Sequence, residues 1–403
     1  MHLEEAKERE GQLLCHTYAR YPLLVSRGEG SRLFDASGRE YVDLLAGIAV
    51  CNLGHCHPEL NAILRRQSEK LIHVSNLFYQ EEQLRLAERL LQTCHLNRVF
   101  FCNSGAEANE AAIKLARRYM HSVRGSGAYE VITLEGSFHG RTLATMTATG
   151  QAKVREGFGP LPEGFRCLPA NDLDELEAAL TERTAAVLLE VIQGEGGVRN
   201  VDRSFLESVQ RICRDQGILL MIDEVQTGMA RTGRMWAHQL LGLQPDIMTV
   251  SKALANGLPM GALLASEEVS RGFEPGSHAT TFGGGALVSA VAEKVLEIIE
   301  RDSLAERAET MGAWARSLFT KLQEARPSWI TQVRGAGLML GIELAGDGGQ
   351  IWRELLDRGF ICNLTQQRVL RLLPALTIDS HSLESFAHCL DDVLGGLDSG
   401  GGQ

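Results

Sequence analysis

Lysine can form an imine with a carbonyl compound, and it is scarce in this chain of 403 residues. Seven of the 40 basic residues are lysine, and the other 33 are arginine. One of the seven, Lys252, directly follows the strand-like apolar run 247–250 and precedes the turn-forming segment 256–259. By position alone, a reactive amine and a surface lysine on a connecting loop are equally good interpretations.

Other side chains that could take part in binding or catalysis follow strand-like runs in the same part of the chain. Because parallel α/β sheets bind ligands at the carboxyl ends of their strands, we expect these side chains to meet at one edge of one sheet. They comprise a small-residue segment that opens a helix, an aromatic residue followed by an arginine, and two adjacent carboxylates. The segments are 103–106 after run 99–102, 136–141 after run 131–134, and 223–226 after run 218–222.

This combination fits pyridoxal phosphate. The cofactor needs a lysine for a Schiff base, a carboxylate that keeps its pyridine nitrogen protonated, and a cup for its phosphate. Free amide groups at the start of a helix bind phosphate well, and segment 103–106 opens such a helix. The sequence therefore predicts a pyridoxal-phosphate site around Lys252.

Strands must alternate with helices to place these segments together. Short Val-, Ile- and Leu-rich runs, including a strand predicted at 185–192, alternate with amphipathic segments up to about residue 285. This pattern predicts a mostly parallel sheet covered by helices on both faces. Beyond residue 285, two long helical segments at about 286–301 and 304–325, followed by short strands, indicate a smaller α+β unit. We expect an N-terminal segment at 1–50 that packs on the small unit, a large domain at 51–285 and the small domain at 286–403.

Five segments resemble the signatures of the class III pyridoxal-phosphate aminotransferases, in that family's order and spacing. They are Ser-Gly-Ala-Glu-Ala-Asn-Glu at 104–110, Phe-His-Gly-Arg-Thr at 138–142, Glu-Val-Ile-Gln-Gly-Glu-Gly at 190–196, Asp-Glu-Val-Gln-Thr-Gly at 223–228 and Ser-Lys-Ala at 251–253. Segments 47–55 and 75–79 are similar to the branch that acts on acetylornithine. The resemblance implies fold type I, with a mostly parallel seven-stranded sheet flanked by helices.

The resemblance also implies residue roles. Lys252 would form the Schiff base and shuttle a proton, while Asp223 would pair with the pyridine nitrogen. The cofactor-binding residues would be Ser104, Gly105, Ala106, Phe138, Asp223, Gln226, Lys252 and Thr281, with Thr281 supplied by the neighbouring subunit of a homodimer. The substrate-binding residues would be Arg141, Thr280, Glu195, Arg371 and Tyr18, with Thr280 also supplied by the partner and Glu195 masking Arg371 for one of the two substrates.

The implied reaction transfers the δ-amine of N2-acetylornithine to 2-oxoglutarate, in arginine biosynthesis. Succinylornithine, N-succinyl-diaminopimelate, ornithine and 4-aminobutyrate remain alternative amino donors, and a mutase, racemase or decarboxylase on the same scaffold is a more distant one. Gly285 and Ala286 stand where relatives usually carry Asn-Pro, and Val191 replaces a usual proline. Neither departure removes a reacting group.

Composition narrows the class of protein and its partners. The net charge of -11 and the absence of a basic run disfavour binding to nucleic acid or anionic membranes. Nine scattered cysteines and a charged N-terminus without an apolar segment predict a cytoplasmic protein with reduced thiols. Segment 51–57 contains two cysteines and two histidines, but their spacing matches no common zinc pattern, so no metal site is predicted.

Overall fold

The computed structural model describes residues 1–400, with side chains described up to residue 398. The α-helices of this part are α1 Leu3–Leu13, α2 Ala46–Ala49, α3 Pro58–Lys70, α4 Glu81–Leu91, α5 Gly105–Ser122, α6 Leu143–Ala148, α7 Ala152–Arg155, α8 Leu173–Ala179, α9 Arg203–Gln216, α10 Glu267–Ser270, α11 Ala286–Arg301, α12 Leu304–Ala325, α13 Gly349–Asp357 and α14 Ser380–Gly400. Two 3₁₀-helices cover Ala237–Leu240 and Lys252–Ala255. None of the helices in residues 1–400 is long and apolar enough to span a bilayer.

Most of the strands belong to one large sheet and two four-stranded sheets. They are β1 Val25–Glu29, β2 Arg32–Asp35, β3 Glu40–Asp43, β4 Arg98–Cys102, β5 Glu130–Leu134, β6 Phe165–Leu168, β7 Thr184–Leu189, β8 Ile192–Gln193, β9 Arg199–Asn200, β10 Leu219–Asp223, β11 Ile247–Val250, β12 Gly261–Ala265, β13 Ile330–Ala336, β14 Met339–Leu344, β15 Phe360–Ile361, β16 Asn363–Thr365 and β17 Val369–Leu372.

The large sheet has seven strands in the order β4-β12-β11-β10-β7-β5-β6. Strand β12 pairs antiparallel with both of its neighbours, and the other four pairings are parallel. Alternate residues of β10 enter opposite cores, because Leu219 and Met221 pack on one face while Leu220 and Ile222 pack on the other. Two covered faces explain why this strand is apolar throughout.

The predicted α/β fold with a seven-stranded, mostly parallel sheet is confirmed. Helices α11 and α12 have the predicted bounds of 286–301 and 304–325. Strands β6 and β12 were not predicted, and the strand predicted at 185–192 ends at Leu189 in the structure. That earlier end matters for the site, because it places Glu190 at the carboxyl edge of the sheet.

The remaining sheets lie outside this central layer. Strands β13, β14, β17 and β16 form an antiparallel sheet, and β1, β2, β3 and β15 form a mixed sheet in which β15 is parallel to β3. Strand β15 comes from the C-terminal part and pairs with β3 from the N-terminal part. The boundaries at residues 50 and 285 stay predictions, and the last three residues of the expected 286–403 domain lie outside the described residues.

Candidate active site

A cavity of about 230 Å³ lies at the carboxyl ends of the parallel strands. Eight of the predicted residues line it: Gly105, Ala106, Phe138, Arg141, Glu195, Asp223, Gln226 and Lys252. Six lining residues were not predicted to act there: Asn109, His139, Gly140, Glu190, Val225 and Ser251. The structure thus brings together the amine, the carboxylate, the aromatic ring and the helix start that the sequence placed at separate strand ends.

Lys252 directly follows Ser251 at the end of β11 and begins the short 3₁₀-helix. Its φ of 42° lies in the left-handed region, which is uncommon for a residue with a side chain, and such strained residues cluster at active sites. Loss of solvent lowers the pKa of the Lys252 amine, and the Glu195 carboxylate partly opposes that shift. A lowered pKa leaves more of the amine neutral, as a nucleophile or a base requires.

Asp223 ends β10 and is buried among hydrogen-bond donors. Its Oδ2 accepts bonds from Asn109 Nδ2 at 2.7 Å and His139 Nδ1 at 2.8 Å, while Oδ1 accepts one from the Val225 amide at 2.9 Å. Thr249 on β11 donates to Asn109 Oδ1 at 2.7 Å, which fixes the amide of Asn109. Three donors hold this carboxylate in one orientation, with its charge facing the cavity.

The dipeptide Phe138-His139 is held through its backbone. The Phe138 amide donates to Glu190 Oε2 at 3.0 Å, and the His139 amide donates to Thr149 Oγ1 at 2.9 Å. Burial raises the pKa of Glu190 to about 7. The guanidinium of Arg141 lies 5.5 Å from the centre of the Phe138 ring, at the mouth of the cavity.

Helix α5 starts at the cavity, with Ser104 as its N-cap. The Ser104 hydroxyl accepts a bond from the Glu107 amide at 3.2 Å, so this side chain caps the helix. A Cβ on Gly105 would lie 2.7 Å from Val225 Cγ1, which explains the glycine at this position. Free amide groups at such a helix start form an anion site suited to a phosphate.

Arg371 on β17 is buried and forms an ion pair with Glu195. Its Nη1 donates to Glu195 Oε1 at 2.7 Å and to Gln226 Oε1 at 3.3 Å. The Arg371 side chain is 1% exposed, whereas that of Glu195 is 31% exposed. Burial acts to raise the pKa of Glu195, but the charge and hydrogen bond of Arg371, with smaller contributions from Lys252 and Gln226, together lower the pKa. The carboxylate is therefore the partner with room to move.

Five predicted substrate or cofactor residues do not line the cavity of this chain: the N-cap Ser104, the buried Arg371, and Thr280, Thr281 and Tyr18. Thr280 accepts a hydrogen bond from Asn103 Nδ2 at 3.1 Å, and Thr281 is exposed. Tyr18 is 72% exposed, with the Arg20 guanidinium 5.3 Å from its ring centre. Their roles stay predictions.

One of the histidines in segment 51–57 contacts a buried carboxylate of the same chain. His55 Nε2 lies 2.6 Å from Asp43 Oδ2, which is buried. In the part of the chain that the structure describes, no group of three His, Cys, Asp or Glu side chains could hold a metal ion.

Comparison with known proteins agrees with this geometry. Residues 15–394 match the family model described as aminotransferase class-III. The chain belongs to this family. The acetylornithine aminotransferase of Thermosynechococcus vestitus is 46% identical over 396 residues, which cover 96% of both chains.

Solved structures of the family have the same fold. The ornithine aminotransferase from Toxoplasma gondii matches with a TM-score of 0.95 at 32% identity, over 99% of this chain and 96% of that one. The N-acetylornithine aminotransferase from Stenotrophomonas maltophilia matches with a TM-score of 0.82 at 36% identity, over 95% of this chain and 98% of that one.

The residues of the cavity fit pyridoxal phosphate, the cofactor of this family. An amine with a lowered pKa, a buried carboxylate and an anion site at the amides of a helix start are the three groups that it requires. Lys252, Asp223, and the amides of Gly105 and Ala106 would hold it. The chain is thus a pyridoxal-phosphate-dependent aminotransferase.

Proposed function

We propose that this aminotransferase moves the δ-amino group of N2-acetyl-L-ornithine to 2-oxoglutarate, giving N-acetyl-L-glutamate 5-semialdehyde and L-glutamate. The pathway would be arginine biosynthesis. The observation that carries the proposal is the ion pair of Glu195 with the buried Arg371, 2.7 Å long, in which Glu195 lines the cavity. Relatives that are 42–46% identical and named acetylornithine aminotransferase support this amino donor.

Arg371 would be paired with Glu195 in one half-reaction and would bind a substrate carboxylate in the other. Arg141, exposed at the mouth, would bind the carboxylate far from the reacting amine in both substrates, since a guanidinium binds a carboxylate through two parallel hydrogen bonds. Acetylornithine places a neutral methylene chain near Arg371, so Glu195 keeps that charge paired. Glutamate brings a second carboxylate, and Glu195 would leave so that Arg371 can bind it.

Proton transfer would be carried by residues of the cavity. When bound, pyridoxal phosphate supplies a ring that withdraws electrons from the reacting carbon. Asp223, held by three donors, would keep a proton on the pyridine nitrogen. The Lys252 amine, whose pKa is lowered by burial, would take the proton from the substrate carbon. Phe138 would pack on the ring face and exclude water, and Gln226 would contact the phenolic oxygen.

We also propose a homodimer that shares its active sites, with Thr280 and Thr281 reaching the partner's cavity. Support comes from exposed apolar side chains beside this loop. They include Ile72, Leu77, Phe78, Tyr79 and Phe282. Asn76 Nδ2 donates to the Gly283 carbonyl at 3.0 Å, which ties the apolar segment to the loop. Such a patch on a polar-rimmed surface is typical of a protein interface.

We further propose a cellular location, a role for Tyr18 and the domain boundaries. A cytoplasmic location is consistent with nine cysteines that all remain free thiols in the structure. Tyr18 would contact substrate once the N-terminal segment is covered by the partner. The large cofactor domain would comprise 51–285, with 1–50 and 286–403 forming the smaller unit.

The stoichiometry of the reaction tests the proposed chemistry. With acetylornithine and 2-oxoglutarate, one glutamate should form for each semialdehyde. Release of carbon dioxide, or product formation without the oxoacid, would favour a decarboxylase or mutase instead. Ornithine is the second candidate amino donor, because the Toxoplasma gondii structure with the TM-score of 0.95 is an ornithine aminotransferase.

A further inference from the structure

Two buried polar atoms beside the ion pair have no hydrogen-bond partner within residues 1–400. They are Nε of Arg371, a donor, and Oδ1 of Asn363, an acceptor. Buried polar groups in native proteins are nearly always paired, so each exception needs an explanation. Here the two exceptions are chemically complementary.

The two residues are also direct neighbours in the sheet. Strands β16 and β17 pair antiparallel with Asn363 opposite Arg371, so both side chains project from the same face. On the other side of β17, the residue opposite Arg371 is Gly341, which has no side chain to offer. Asn363 is therefore the cross-strand neighbour whose side chain can reach the guanidinium.

The amide of Asn363 is held in place by its other end. Asn363 Nδ2 donates to the Tyr21 hydroxyl at 3.0 Å, and the Tyr21 ring packs against Trp352 with centroids 4.6 Å apart. The Tyr21 bond uses the nitrogen, so the oxygen stays available as an acceptor. In the present arrangement Arg371 points Nη1 at Glu195 and Gln226 and leaves Nε unused.

We propose that Asn363 is a positioning residue for the glutamate and 2-oxoglutarate half-reaction, in which its Oδ1 accepts the Nε–H of Arg371 after Glu195 has moved away. The guanidinium loses its ion partner at that moment, and an acceptor at Nε would orient its two terminal nitrogens toward the substrate carboxylate. With acetylornithine bound, Glu195 performs the orienting role and Asn363 has none. This inference rests on the alternation of Arg371 proposed above.

The test compares the two half-reactions in the Asn363→Ala and Tyr21→Phe variants of the cofactor-loaded enzyme. For Asn363→Ala, the single-turnover efficiency with glutamate, which is the maximal rate divided by the half-saturating concentration, should fall about tenfold, mainly because the half-saturating concentration rises. The same efficiency with acetylornithine should stay within about twofold. Tyr21→Phe keeps the ring and loosens the amide, so it should show the same selectivity at a smaller size. Asn200→Ala, at an exposed asparagine, is the matched control and should change neither rate.

A binding measurement separates this inference from the choice of amino donor. Glutarate is a dicarboxylate with no amine to react, and its Kd by calorimetry should rise about tenfold in Asn363→Ala. Equal losses in both half-reactions, or unchanged glutarate affinity, would overturn the positioning role. If the parent enzyme prefers another amino donor while glutarate binding still weakens, the acetylornithine proposal fails and the role of Asn363 stands.

Discussion

Replacing Glu195 with glutamine tests the alternating ion pair with the least change in shape. The variant keeps an oxygen that can accept from Arg371 Nη1 but removes the negative charge. The guanidinium, 1% exposed, then has no carboxylate partner in the resting enzyme. A dicarboxylate no longer has to displace Glu195, whereas acetylornithine has to bind beside an unpaired cation.

The size of the effect follows from the geometry. Two unit charges about 4 Å apart attract by about 4 kcal/mol at an effective dielectric constant of 20. Glu195 is 31% exposed and Gln226 remains as an acceptor, so the net loss should be nearer 1.5–3 kcal/mol. We therefore expect kcat/KM for acetylornithine to fall about 10–100-fold, and the affinity for glutamate to rise.

Half-reaction kinetics with each substrate alone are the appropriate assay. The exposed residue Glu177 on α8 supplies a control, since Glu177→Gln should change neither half-reaction. The thermal midpoint of Glu195→Gln should also fall without ligand and recover in glutarate, because the buried arginine regains a carboxylate. Equal slowing of both half-reactions would refute the proposed alternation of Glu195 and Arg371.

Three further substitutions probe the site. Lys252→Ala should abolish both transamination and the visible absorption of the purified protein. The control variant Lys321→Ala should keep both. Retained activity in Lys252→Ala would exclude Lys252 as the reactive amine. Asn109→Ala removes one of three donors to Asp223, so cofactor affinity and kcat should each fall about tenfold, measured by cofactor titration and steady-state rates. Burial raises the pKa of Glu190 from 4.5 to about 7 in the folded protein. Between these pH values the folded protein keeps the Glu190 proton, whereas the unfolded chain loses it. The free energy of unfolding contributed by Glu190 therefore falls as pH rises from 4.5 to 7. Glu190→Gln should remove that loss, so the free energy of unfolding of the cofactor-free variant, measured in urea, should gain up to about 3 kcal/mol on that of the parent protein over this range. A difference between the two proteins that stays constant with pH would contradict the raised pKa of Glu190.

Position at strand ends predicted which side chains meet at the cavity, whereas the roles assigned to Lys252 and Asp223 also needed the resemblance to the family. Lys252 and Asp223 each follow an apolar run that does form a strand, and both line the cavity. Glu190 was missed because the predicted strand continued to residue 192, which placed this carboxylate inside the strand and hid its position at the edge. Its motif at 190–196 was the available signal.

The residues that orient Asp223 could not be found in this way. Asn109 lies within helix α5, where it is 114 positions from Asp223 in sequence, and its contact depends on how the helix packs over the sheet. Thr249 is an interior residue of β11 and resembles any buried strand residue. Strand β12 was missed for a related reason, since a short apolar run after a turn does not reveal that the chain returns antiparallel between β4 and β11.

At the centre of the proposed function is the transfer of the δ-amino group of acetylornithine to 2-oxoglutarate. Steady-state kinetics with 2-oxoglutarate and each of acetylornithine, succinylornithine, ornithine and 4-aminobutyrate test it most directly. The proposal predicts the highest kcat/KM with acetylornithine and one glutamate formed for each semialdehyde. A kcat/KM ratio below one for acetylornithine over ornithine would contradict it.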